Sequence, residues 1–211
     1  KTECGCFIMH RKLLIASGNE GKIKEIAKIY KNFDLHILGL KDFPEIGEIE
    51  EDGDTFQENA LKKARIAASE TNLLTLADDS GLVVEYLDGK PGIYSARFAG
   101  PEATDEENNK KLLDRMDNVA WNNRKAHFKC IMALIDPIND SNYTTEGICQ
   151  GFITTNPRGD NGFGYDPLFY VPEYKKTMAE LTSDIKNKIS HRAEALKNMK
   201  KILADVLSDD K

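Results

Sequence analysis

The feature that most constrains the fold is a strand-turn-helix junction near the start of the chain. Lys12-Leu-Leu-Ile-Ala16 is a short apolar run, followed at once by Ser17-Gly-Asn-Glu-Gly-Lys22. From Glu20 to Tyr30 apolar residues recur at Ile23, Ile26, Ala27 and Tyr30, the spacing of an amphipathic helix. A strand that enters a helix through a glycine-containing turn needs a sheet with helices laid on it. The same junction leaves free backbone N–H groups at the helix start, where the helix dipole favours an anion, and Lys22 adds a full charge. It is not a Walker A loop, which requires glycine at position 16 and Ser or Thr at position 23; Ala16 and Ile23 stand there. An ordinary strand-to-helix turn with a solvated lysine explains this stretch, taken alone, equally well.

The rest of the chain alternates in kind. Leu35 to Leu40 reads as a strand, and an acidic stretch follows with Glu45, Glu48, Glu50, Glu51, Asp52 and Asp54. Thr55 to Ala68 reads as a helix capped by Asp54 or Thr55, with a narrow face of Ala60, Leu61, Ala64, Ala67 and Ala68. Leu73–Ala77 and Leu82–Tyr86 read as strands joined by a tight turn over Asp78–Gly81. A helix from Thr104-Asp105 to about Asp117 precedes two longer strands, Lys125–Ile135 and Tyr143–Thr154. Pro167–Tyr170 reads as a short strand, and Thr177 to the end as helix. The class is α/β with a long mixed central sheet, flanked by helices.

Residues 1–8 read as an upstream extension or foreign remnant, because Met9 leads naturally into the first strand; residues 9–211 then form one domain. No apolar run is long enough for a membrane-spanning helix, and no secretory signal is evident. Cys4, Cys6, Cys130 and Cys149 do not make a disulfide framework, which points to a reducing, cytoplasmic setting; Cys4-Gly-Cys6 alone is weak support for a metal. A formal net charge of −6 disfavours binding to long nucleic acid, though a local basic pocket can still take a small anion.

Three further stretches carry chemistry. In Ala77-Asp-Asp-Ser-Gly81, adjacent aspartates point to opposite faces, which divides their work: one carboxylate in a site, the other supporting it. A hard cation such as Mg²⁺ suits oxygen ligands of this kind, and one of Glu50, Glu51 or Glu58 reaches the same ion, with Asn59 nearby. In Gly162-Phe-Gly-Tyr-Asp166, glycines flank Phe163 and leave its ring open to the face of a nucleobase, while Asp166 can accept from ring N–H groups. In the C-terminal helix, Arg192 falls on the apolar stripe of Ile185, Ile189, Leu196, Met199, Leu203 and Val206. Either the helix restarts at Ser190, or Arg192 enters a polar pocket, with His191 and Lys186 close by; the two are compatible.

Taken together, these segments resemble the Ham1- or RdgB-type inosine triphosphate pyrophosphatases, which act on non-canonical purine nucleoside triphosphates. "SGNEGK", "GDTFQENALKKA", "LADDSGL", "PGIYSARFAG", "GFGYDPLF", "TMAEL" and "KNKISHRAEAL" occur in the family's order between about Leu13 and Leu207. Ser17 stands where Thr is common, which keeps the hydroxyl. The resemblance implies two lobes around a nucleotide cleft, a homodimer, and Mg²⁺-dependent hydrolysis of ITP, dITP or XTP to the monophosphate and pyrophosphate. It implies that Ser17, Gly18, Asn19, Glu20, Gly21 and Lys22 bind the triphosphate. Asp79 binds Mg²⁺ and acts as, or positions, the base for an attacking water, with Asp78 in support and Glu51 as a second carboxylate at the metal. Ser80 contacts substrate. Phe163, Gly164, Tyr165 and Asp166 hold the base, and Lys186, His191 and Arg192 donate to its 6-oxo group. A donor aimed at that oxygen is left unpaired by the amino group of adenine, which gives the selectivity a physical basis. Arg97 faces substrate or the second subunit.

Rival readings fare worse. A pyrophosphatase for modified pyrimidines does not account for "SHR" and "GFGYD", and a non-hydrolysing sensor does not account for Asp78, Asp79 and Lys22 together. A serine hydrolase built on Ser80 lacks the nucleophile elbow.

Overall fold

Leu13, Leu14 and Ile15 are fully shielded from solvent, so the first strand is buried on both faces, as its unbroken apolar run requires. The computed structural model describes residues 11–209; the N-terminal extension and Cys4-Gly-Cys6 lie outside them. The sheet runs β2-β1-β3-β4-β5-β6-β7, with β1 Arg11–Ile15, β2 Leu35–Gly39, β3 Leu74–Val84, β4 Lys125–Asp136, β5 Ser141–Ile153, β6 Phe169–Val171 and β7 Lys176–Thr177. The first three strands are parallel and the remainder antiparallel, giving the long mixed sheet expected.

Helices α1 (Glu20–Ile29) and α5 (His191–Asp209) cover one face, and α2 (Phe56–Thr71) covers the other. The alternation along the strands makes this division: Leu13, Ile15 and Leu76 pack with Ile26, Leu196 and Met199, while Leu14, Ala16 and Ala77 pack with Ala60, Ala64 and Ala67. The alanine face of α2 lets it lie close to the sheet. A separate core joins the far end of β4 and β5 to α3 (Asp105–Arg115) and α4 (Ser183–Ile189), with Leu112, Met116, Phe169 and Ile189 in it. The long strands β4 and β5 thus serve two lobes.

Two expectations are corrected. Asp78–Gly81 is not a turn but the middle of β3, paired residue by residue from Asp78↔Met132 to Gly81↔Lys129. Turn-forming composition is overridden because each polar side chain finds a partner off the sheet, and because Gly81 passes so close to the Gly92 carbonyl and Ser95 hydroxyl that no side chain fits. Nor is the chain helical from Thr177. It forms β7, a 3-10 turn over Met178–Glu180, then α4, and breaks at Ser190 before α5. Ser190 is extended (φ −68°, ψ 152°), and its hydroxyl accepts from the Ala193 N–H at 3.1 Å. Both alternatives for this region hold: the helix restarts at Ser190, and Arg192 enters a polar cluster.

Candidate active site

The turn after β1 is closed by its own side chains. Asn19 caps α1, its Oδ1 accepting from the Gly21 and Lys22 N–H groups at 2.9 and 3.2 Å. Ser17 Oγ accepts from the Asn19 N–H at 3.1 Å. Asn19 therefore holds the turn rather than leaving those two amides open. Glu20 points away, to Lys24 and Lys41 on the surface. Ser17, Gly18 and Lys22 line a cavity of about 1150 Å³ together with Glu48, Glu50, Glu51, Asp52, Lys63 and Arg97.

The adjacent aspartates face opposite sides of the sheet. Asp78 turns toward α1 and α5, where its Oδ2 lies 3.0 Å from Lys22 Nζ and 3.3 Å from Arg192 Nε. Burial opposes its charge, but Lys22, Arg192 and Lys63 outweigh that and hold the carboxyl well below its usual range. Asp79 turns toward α2, where Asn59 Nδ2 donates to its Oδ2 at 3.1 Å and the Ser80 N–H donates to its Oδ1 at 2.9 Å. Burial pushes Asp79 up to about 6; Lys63 and Asn59 pull it down, and the charges of Glu51 and Asp78 push it up.

The acidic loop before α2 is pinned at several points. The Glu51 carboxylate pairs with Lys63, the Glu51 carbonyl accepts from Arg97 at 3.0 Å, and the Gly53 N–H donates to Asn59 Oδ1 at 2.8 Å. Glu58 is spent on the capping box of α2 with Thr55, and Glu50 has no comparable tie to Asp79. Of the three glutamates left open by the sequence, Glu51 is the one whose charge acts on Asp79. Lys63 is nearly buried; burial weakens its charge, yet Asp78, Glu51 and Asp79 raise its proton affinity overall.

The oxygen set of Asp79 and Glu51 fits a hard divalent cation. Two facing carboxylates, one with a raised proton affinity, are what a cation relieves. Among the described residues no group of three or more His, Cys, Asp or Glu side chains could hold a metal. Mg²⁺ characteristically takes one or two carboxylates and completes its shell with water and substrate phosphates, which this donor set allows.

A second cavity, of about 490 Å³, meets the first at Lys22. Glu25, Phe163, Asp166, Lys186, His191 and Arg192 line it. Phe163 is 58% exposed. Asp166 pairs with Lys186, and burial raises its carboxyl against that pull. Arg192 is 4% exposed and reaches Asp78, Glu25 (3.0 Å) and Ser80 Oγ (3.4 Å). His191 stacks on Phe128 with ring centroids 4.9 Å apart, and its buried Nδ1 has no partner among the described residues. Burial, and then the Arg192 charge, keep this imidazole neutral. Tyr165 is buried and donates to the Ser95 carbonyl at 2.8 Å, so its ring supports the loop from behind.

Sequence reasoning passed over Lys63 and Glu25. Both had a signal: Lys63 lies one turn after Asn59 on the inner face of α2, and Glu25 lies three residues after Lys22 on α1. A charged residue on an otherwise buried stripe needs a partner, and in each case the partner is in the cleft.

Comparison with known proteins bears on this arrangement. The model of the Ham1 family matches residues 13–202. The chain is 50% identical over 190 residues to a dITP/XTP pyrophosphatase of Bacillus anthracis, covering 90% of this chain and 94% of the relative. It is 52% identical over 189 residues to a dITP/XTP pyrophosphatase of Geobacter sulfurreducens, again covering 90% and 94%. The crystallised Ham1 protein of Coxiella burnetii superposes with a TM-score of 0.86 at 41% identity, covering 92% of this chain and 99% of that one.

Proposed function

Since the chain belongs to the Ham1 family, we propose that it hydrolyses the non-canonical purine nucleoside triphosphates ITP, dITP and XTP to the monophosphate and pyrophosphate. The observation that carries this reading is the pair of cavities meeting at Lys22: one lined by lysines and carboxylates, the other by an exposed aromatic ring and buried donors. A triphosphate fits the chemistry of the first and a purine that of the second.

At the phosphate end, Ser17, Gly18, Lys22 and Lys63 offer donors and positive charge to the phosphate oxygens. Lys22 is held by Asp78, which places its charge between the two cavities. Mg²⁺, held by Asp79 and Glu51, supplies further neutralisation of the phosphate charge. Asp79 accepts the proton of a water that attacks the α-phosphorus; the new P–O bond forms as the bond to the bridging oxygen of the β-phosphate breaks, and pyrophosphate leaves with that oxygen. Asn59 and the Ser80 N–H fix the carboxylate for this task.

At the base end, Phe163 stacks on the purine. His191 offers an N–H from Nδ1 to the 6-oxo oxygen, since this atom is buried and otherwise unpaired. Lys186, Asp166 and Arg192 complete the polar wall, with Glu25 orienting Arg192. An adenine amino group brings hydrogens to the same donors and leaves them unsatisfied. Residues 9–211 work as one unit, as a homodimer on the cytoplasmic nucleotide pool. Among the described residues no helix is long and apolar enough to cross a membrane.

The test is pyrophosphate release from ITP, XTP, GTP, ATP and dUTP, with and without Mg²⁺. Efficient release from ITP and XTP alone, abolished by chelation, is expected; equal rates on ATP and ITP overturn the assignment.

A further inference from the structure

The loop that carries Phe163 is gripped from outside the cleft. Gly164 has a left-handed backbone (φ +59°) and no side chain, so only its peptide groups can be held. Both are. Asp105 Oδ2 accepts from the Gly164 N–H at 2.7 Å, and Asn109 Nδ2 donates to the Gly164 carbonyl at 2.8 Å. Asp105 and Asn109 are four residues apart in α3 and so share a face. On the other side of the same loop, Tyr165 is anchored to Ser95, and the Phe163 N–H donates to Asp166 Oδ2 at 3.3 Å.

We propose that Asp105 and Asn109 are positioning residues for the purine base, acting through Gly164 to hold Phe163 as a preformed stacking platform. The inference rests on the base-binding role proposed above for Phe163.

Two observations favour a role in presentation over one in folding alone. Asn109 spends its amide on Gly164, while its buried Oδ1 has no partner among the described residues. A purely structural asparagine at this depth would satisfy both ends. Its neighbour Asn108 does so: its Oδ1 accepts from the Ala99 N–H at 2.8 Å, and its Nδ2 donates to the Ala96 carbonyl at 3.0 Å. Asn108 thus secures the turn bearing Arg97, and Asn109 the loop bearing Phe163. An exposed ring on an unheld glycine loop must be ordered when ligand binds, which costs affinity; a ring already held avoids that cost.

The experiment uses the full chain with Asn109→Leu and, separately, Asp105→Ala. Asn109→Leu removes one hydrogen bond together with an unpaired buried oxygen, so its melting temperature is expected to stay near that of the unmodified protein. Asp105 is exposed, and the Thr104–Glu107 capping box of α3 survives its removal; this variant carries the test if the first does not fold. KM and kcat are measured for ITP, and Ki for inorganic tripolyphosphate, which has no base. Amide exchange is followed across residues 161–166. Expected are a rise in the KM for ITP of about tenfold with kcat within about twofold, an unchanged Ki for tripolyphosphate, and faster exchange at Gly164. An unchanged KM overturns the inference, as does a parallel rise in KM and Ki, or unchanged exchange in both variants. If the unmodified protein fails to hydrolyse ITP, the proposed function falls instead, and exchange still reports on the grip.

Discussion

Asp78 and Asp79 are consecutive in β3 and are driven in opposite directions by the two faces of one sheet. Asp78 lies among Lys22, Arg192 and Lys63 and holds its negative charge below the usual range. Asp79 lies in the crowded space under α2, where burial and the Glu51 carboxylate raise it to about 6. The period of two along a strand is what lets neighbouring carboxylates serve such different surroundings. A carboxylate with raised proton affinity can take a proton near neutrality, while its neighbour holds the lysine that faces the phosphates.

Asp79→Asn should stabilise the protein while abolishing turnover. A carboxyl whose folded-state value is raised binds protons better folded than unfolded, so its ionisation destabilises the fold. That penalty is complete above about pH 6 and vanishes below the ordinary carboxylate value of about 4. The shift corresponds to roughly 2–3 kcal/mol as an upper bound. Thermal unfolding in metal-free buffer should show the variant melting several degrees higher at pH 8, the gap closing by pH 4. A variant less stable than the unmodified protein at pH 8 would refute the electrostatic reading.

Asp78→Asn should do the reverse. It leaves Lys22 and Arg192 without the anion between them, with Arg192 still buried. Breaking a buried pair from one side costs about 3–5 kcal/mol. For a chain of this length the melting temperature should drop by roughly 6–15 °C near pH 7. Because the folded-state value is depressed, the stabilisation is present above the unfolded value and is lost as pH falls. Unmodified protein and variant should therefore converge below about pH 4. A constant gap across that range would mean that packing, not charge, was lost.

Lys63→Met tests the residue hidden on α2. The ammonium faces Glu51, Asp79 and Asp78, and it lowers the proton affinity of Asp79. Its loss should cut kcat for ITP about 100- to 1000-fold, the scale of one preorganised charge at a reacting group. The acid limb of the rate profile should move to higher pH. Steady-state rates between pH 5 and 9 check both, and unchanged kcat with only a raised KM would make Lys63 a simple binding lysine.

Much of this site was legible before any coordinates. The turn Ser17–Lys22, the two aspartates on opposite faces and the Ser190 break follow from local rules: strand period, helix spacing and capping. What local rules missed is tertiary. Asp78–Gly81 has the composition of a turn, and only pairing with β4 and partners on α1, α2 and α5 keep it straight. Asn19 looks like a phosphate ligand, but its oxygen is occupied by the helix it caps. Glu51 could be chosen over Glu50 and Glu58 only once Lys63, Arg97 and the Thr55 capping box had claimed their partners. The Gly164 grip joins residues 59 and 55 positions apart, beyond the reach of any pattern in sequence.

His191→Phe isolates the reading of the base. The ring keeps its place against Phe128, where the imidazole stacks at an interplanar angle of 20°, and loses only its polar atoms. In the unmodified protein the neutral imidazole offers one N–H, and Nδ1 is the buried atom with no partner among the described residues. A 6-oxo purine satisfies that N–H and adenine does not. Removing the donor takes away both the reward for ITP and the penalty for ATP. The kcat/KM for ITP should fall about 10- to 100-fold, the range for one buried hydrogen bond at a specificity site, while that for ATP stays level or rises. The ratio of the two, measured by pyrophosphate release at subsaturating nucleotide, is the decisive quantity. A ratio unchanged by the substitution would move the discrimination away from His191 and onto Lys186 or Arg192.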